Sequence, residues 1–74
     1  MEKERHKEKA RIFLKNNTKA FIVDTLDNYY FCYILIIGED HLYVKNFTGK
    51  KIGEEEEILW IDIIKFVEYK DKRI

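Results

Sequence analysis

Nine consecutive apolar or aromatic residues, Tyr29-Tyr30-Phe31-Cys32-Tyr33-Ile34-Leu35-Ile36-Ile37, constrain this chain more than any other stretch, and they stop at Gly38-Glu39-Asp40. The run is well short of the ~20 residues that a membrane-spanning helix needs. Aromatic and β-branched side chains lose rotamer freedom in a helix but pack well on a pleated strand. The run therefore reads as the central strand of a small all-β domain. Side chains alternate across a strand, so Tyr29, Phe31, Tyr33, Leu35 and Ile37 share one face, with Tyr30, Cys32, Ile34 and Ile36 on the other. Neither face is polar, and each needs a cover. The first is expected to build the core. The second is expected to lie under an N-terminal helix or against another copy of the chain.

The 74 residues make one domain, 1–74, close to the lower size limit for a self-sufficient core. Hydrophobic residues at 46% and aromatics at 15% point to a folded chain. The 38% of charged residues, rich in Lys and Glu, is a balance found in thermophiles and in AT-rich genomes. Fourteen basic and fourteen acidic residues cancel, which leaves no global electrostatic footprint for nucleic acid. The charge is unevenly placed: residues 1–20 carry seven Lys/Arg against three Glu, and the remainder is acidic on balance. The single cysteine, Cys32, sits inside the apolar run and reads as a small buried hydrophobe in a reducing compartment. No signal-peptide pattern is visible near the start, so the cytoplasm is the expected location and no membrane association is expected.

Turn signals divide the rest of the chain. Residues 1–17 hold a short helix with His6, Ala10, Phe13 and Leu14 at helical spacing, closed by Asn16-Asn17. Residues 18–70 then read as strands. The first carries Phe21-Ile22-Val23 and ends at Asp27-Asn28, and the long strand follows. After Gly38-Glu39-Asp40, residues His41 to Phe47 alternate, with Leu42 and Val44 inward and His41, Tyr43 and Lys45 outward. Thr48-Gly49-Lys50 marks a third turn, with Gly49 supplying a positive φ. Residues 58–69 fit two templates. Trp60, Ile63, Ile64 and Val67 match helical spacing, whereas four Ile, a Val and three aromatics favour strands.

Catalysis has little to draw on. The chain has no Ser and a single Cys, which leaves no nucleophile and base set for His6 or His41 to complete. Too few Cys and His exist for a structural zinc site, and no cofactor or metal is expected. Glu54 to Glu57 read as a solvated run that keeps a sheet edge from pairing with strangers. The outward row His41, Tyr43, Lys45 and Phe47, with Lys50 and Lys51 beyond it, offers rings to stack on bases and ammonium groups to meet phosphates. The same rings could instead pack under the helix or against a neighbouring subunit.

The order of these elements resembles the Sm-like family: a short helix, a strand ending in Leu26-Asp27-Asn28, the long strand, a turn at Glu39-Asp40-His41-Leu42, a Gly49 hairpin and a closing Ile61-Asp62-Ile63-Ile64-Lys65-Phe66-Val67 segment. The resemblance spans roughly residues 4–70. It implies a mainly β fold, a small five-stranded antiparallel Sm-like barrel with a short N-terminal α-helix, which assembles as a homo-oligomer and binds single-stranded RNA. In the family's loop motif of an acid, two residues, an apolar residue and Asn, the base-stacking position falls on His41. Tyr43 stands where the Asn would be and lacks the paired donor and acceptor of an amide. The Arg-Gly-Asp type turn falls on Trp60-Ile61-Asp62 and keeps only Asp62, and Tyr33 stands at the strand-bending Gly.

The resemblance thus implies RNA binding by stacking and lysine contacts, with His41, Tyr43, Lys45, Trp60 and Asp62 as candidate contacts. A second reading is a scaffold that assembles through Tyr30, Cys32, Ile34 and Ile36 and has no nucleic-acid role.

Overall fold

Charged side chains around a narrow apolar stripe form the helix α1, Glu2–Asn16, in the computed structural model, which describes residues 2–49 and 51–70. Asn17 ends it with a φ of 54°, the left-handed conformation that Asn tolerates. The face of α1 turned to the sheet carries His6, Lys7, Ala10 and Phe13. Leu14, expected on that stripe, is exposed, because it lies to one side of the line through His6, Ala10 and Phe13. No described helix is long and apolar enough to cross a membrane.

The protein is mainly β. Strands β1 (Lys19–Asp24), β2 (Tyr29–Ile37), β3 (His41–Asn46), β4 (Glu55–Leu59) and β5 (Ile63–Glu68) form one antiparallel sheet in the order β4-β3-β2-β1-β5. A 3-10 turn over Trp60–Asp62 links β4 to β5. The strand reading of residues 58–69 therefore holds, with this one turn inside it. The sheet is not closed as a barrel, and β4 and β5 remain its edges. Lys50 lies outside the described residues.

One inner face holds the core: Ala20, Ile22, Cys32, Ile34, Leu42, Val44, Ile58, Trp60, Ile63 and Phe66, with Ala10 from α1 above them. Phe66 anchors the helix. Its ring meets Phe13 edge-on at 5.2 Å, and its carbonyl accepts a 2.6 Å hydrogen bond from Lys9 Nζ.

Of the two covers expected for the Tyr30, Cys32 and Ile34 face, the structure supplies the helix, and this face carries the core in place of the Phe31 and Tyr33 face. Cys32 and Ile34 are buried inside the protein, at 0% and 5% exposure, and Tyr30 packs against them. They cannot form an assembly surface. Cys32 and Ile34 both belong to the buried cluster that Ala10 of α1 covers. Ile36, expected to share their face, points outward and is 59% exposed. A bulge accounts for this: Ile34 pairs with Val44 and Ile36 with Tyr43, so Leu35 is an extra residue and the alternation restarts. Ile37 then turns inward against the core.

Candidate nucleic-acid interface

Two loops meet at one end of the sheet. The β2–β3 turn and the 3-10 turn are tied by the Trp60 N–H donating to the Asp40 carbonyl at 3.1 Å, and by the Trp60 indole N–H donating to the Gly38 carbonyl at 3.0 Å. The two loops carry Glu39-Asp40-His41 and Trp60-Ile61-Asp62, which these bonds set side by side. Trp60 itself is only 2% exposed, and its indole is used as the structural link between the loops. This corrects its expected role: a buried ring has no face to offer a base. Asp62 is half-buried, and its carbonyl accepts the Thr25 N–H at 2.9 Å.

His41 and Tyr43 stand on the outer face of β3, beside the edge strand. Their rings lie 6.1 Å apart, and both reach the same Glu57 oxygen, His41 Nε2 at 3.2 Å and the Tyr43 hydroxyl at 3.1 Å. The hydrogen bond to Glu57 raises the Tyr43 pKa, since that carboxylate favours a hydroxyl that keeps its proton. Lys45 is exposed and follows on the same face. Three of the five expected contacts, His41, Tyr43 and Lys45, are thus brought together in one row.

Behind this row lies a polar gap of about 220 Å³ between the β4 side, Glu57 and Leu59, and the β1–β5 side, Asp24 and Asp62. Asp24 is buried, and its carboxylate accepts hydrogen bonds from the N–H groups of Leu26 and Asn28, the Asn28 side chain and the Tyr30 hydroxyl, all within 2.9–3.1 Å. Burial works to raise its pKa. The donated hydrogen bonds outweigh burial and hold the carboxyl below its ordinary value. Among the described residues, no group of three or more His, Cys, Asp or Glu is placed to hold a metal ion.

The rest of the outer face carries a feature that reading β2 as a core strand on its aromatic side concealed. Lys45 pairs with Tyr33, Tyr33 with Lys19, and the Tyr69 N–H donates to the Lys19 carbonyl at 2.9 Å. These residues form a row of alternating lysine and tyrosine from β3 across β2 and β1 to the end of β5. The adjacent row is apolar: the Phe47 N–H donates to the Phe31 carbonyl, Phe31 pairs with Phe21, and Phe21 with Val67. The rings pack on one another. Phe21 stacks on Phe31 at 5.1 Å, and Tyr69 meets Phe31 at 5.8 Å and Phe47 at 5.2 Å. Phe47 also touches Tyr33 at 5.6 Å. Lys19 Nζ lies 5.0 Å from the Phe47 ring centre, and Lys65 Nζ lies 5.5 Å from that of Phe21. The signal available in the sequence was period two on β1 and β2: Phe21 and Phe31 share parity with Lys19 and Tyr33.

Comparison with protein-family models, curated proteins and solved structures finds no match to this chain.

Proposed function

We propose that the protein is a non-catalytic, Sm-like module that binds single-stranded RNA by stacking and lysine contacts and works as a homo-oligomer. The observation that carries the reading is the outward row of β3, where His41, Tyr43 and Lys45 stand together on an accessible face beside Phe47. Rings accept bases of any sequence, and lysines neutralise phosphates. With Tyr43 at the position of the family's amide, this recognition is stacking without a hydrogen-bonded base edge. A non-catalytic role fits the chemistry of Cys32, whose thiol is pushed up to about 12 by burial and stays protonated, far from a nucleophilic thiolate.

The open sheet supports the oligomeric part. Its edges differ in charge: β4 carries Glu55, Glu56 and Glu57, whereas on β5 Lys65 stands against Glu68. A scaffold without nucleic acid is the second reading, and the exposure of Ile36, Ile61 and Ile64 favours it.

The test is fluorescence anisotropy with labelled oligouridine across a salt series. Binding should weaken linearly on a log–log plot as salt rises. Tyr43→Ala should cost about five- to a hundredfold in affinity, the range for one stacked base. Absence of binding at low salt would sink the RNA reading and leave the scaffold.

A further inference from the structure

The lysine-studded aromatic cluster at the far end of the outer face lies apart from His41 and Tyr43 and adjoins their row at Phe47. We infer that Phe21, Phe31, Phe47 and Tyr69, with Lys19 and Lys65, form a base-stacking platform for a single-stranded polynucleotide. The inference shares with the proposed function the class of ligand and assigns it a second, larger site.

The cluster is prebuilt. Each ring is held by at least one other ring at 5.1–5.8 Å, so little side-chain freedom remains to be lost on binding. Beside it runs an open groove of about 630 Å³ lined by Phe21, Tyr29, Phe31, Lys65 and Tyr69 among others. Tyr29 is 62% exposed at its mouth. Lys70 also lines it, and Glu68 is the acid there, so lysines outnumber acids around the rings although the whole chain is neutral.

The position of Lys19 decides between polynucleotide and protein as the occupant. The centre of a protein–protein interface is depleted of lysine, because a buried ammonium group needs a carboxylate. Here Lys19 sits within the rings, between Tyr33 and Tyr69 in its row, with its ammonium over Phe47 at 5.0 Å. A stacked strand brings a phosphate for every base and meets rings and ammonium groups together. Stacking and phosphate contacts are common to RNA and single-stranded DNA, so the ligand class covers both.

The experiment titrates fluorescein-labelled oligouridine and oligothymidine of about eight nucleotides, inside the ~4–16 nucleotides usual for one small β-fold site. Phe31→Leu and Tyr69→Leu keep apolar bulk on a half-exposed face and remove the stacking ring. Each should weaken both oligonucleotides about five- to a hundredfold at a temperature where its melting curve shows the variant fully folded. Lys19→Gln does not touch the core and should flatten the log–log salt slope by about 0.7, the value for one lost phosphate contact on a single strand. Equal loss for both oligonucleotides identifies bases and phosphates as the ligand chemistry. A loss confined to one oligonucleotide overturns a platform of stacking rings and phosphate contacts, which both polymers would meet alike.

If the three variants bind like the unaltered protein while Tyr43→Ala does not, the platform is overturned and the proposed function stands. If the unaltered protein binds neither oligonucleotide at low salt, both fall. If Phe31→Leu lowers the sedimentation mass and leaves oligonucleotide affinity intact, the face is a contact between copies, and the inference is likewise overturned.

Discussion

Asp24 ends β1 with a carboxylate that accepts four hydrogen bonds and has little access to water, so its charge is tied to the folded state. Its pKa is depressed below the ordinary 3.8 in the folded protein. The stability it contributes is therefore complete above that value and is lost as pH falls through the lower, folded one. Asp24→Asn should lower the melting temperature at neutral pH and flatten its fall in acid, as seen by calorimetry over a pH series. An unchanged acid limb would show that other carboxylates govern it. Tyr30 and Cys32 work in the opposite direction. Burial, and for Tyr30 also the bond to Asp24, pushes both groups up to about 12. The stability they contribute is present below their ordinary values of 10.0 and 9.0 and is lost as pH rises toward 12. The folded protein should accordingly leave Cys32 unreactive toward a thiol reagent at neutral pH, with modification following the unfolding rate. Prompt reaction would mean that the inner face of β2 opens freely.

Among the elements, β2 shows where sequence reasoning reached and where it stopped. Its strand character, its limits and the turns around it were legible, because aromatic and β-branched runs bounded by Asp27-Asn28 and Gly38 leave few alternatives. Which of two apolar faces would be the core was not legible. Both faces of the run are apolar, so hydrophobicity does not rank them, and the choice is made by α1, which covers the face that carries Cys32. The bulge at Leu35 carries no local signature either, since it is set by pairing with β3. Trp60 was misassigned for a related reason: its partner is a backbone carbonyl 22 residues away in sequence, which no motif announces. Gly38 is the complementary case. A methyl group there would come within 2.9 Å of the His41 carbonyl oxygen, which already accepts the Gly38 N–H. Gly38→Ala should displace the β2–β3 turn and cost ~1–3 kcal/mol, the range for overpacking a tight site. Urea unfolding followed by the emission of Trp60, the single tryptophan, reads this directly, since its indole N–H bonds to the Gly38 carbonyl. Unchanged emission and midpoint would show that the turn yields without strain.

For the whole molecule, a sheet with two free edges and zero net charge raises the question of how copies meet. Free edges offer unpaired N–H and C=O groups to any strand. Glu55, Glu56 and Glu57 on one β4 would repel another β4, so an isologous β4–β4 contact is disfavoured. A heterologous contact of β4 with β5 of the next copy replaces a strand of three acids by one that carries Lys65 and a single acid, Glu68, and lets exposed Ile64 find apolar company. Such head-to-tail contacts repeat, closing into a ring or extending as a filament. Exposed ion pairs are screened by salt, so the sedimentation mass should exceed that of one chain at low salt and fall as salt rises. Glu57→Lys should shift the population to monomer, and so should Lys65→Glu. The double exchange should restore assembly, because only a direct pairing of the two edges rebuilds opposite charges in the swapped protein. Glu57 also holds His41 and Tyr43, so Glu55→Lys serves as the parallel variant that leaves those contacts in place. A monomer under all salt conditions would overturn edge pairing. Single variants that assemble unchanged would move the contact away from β4 and β5. Lys65 also belongs to the proposed platform and Glu57 to the His41–Tyr43 pair, so Glu55→Lys is the variant on which sedimentation mass and oligonucleotide affinity together separate assembly from recognition.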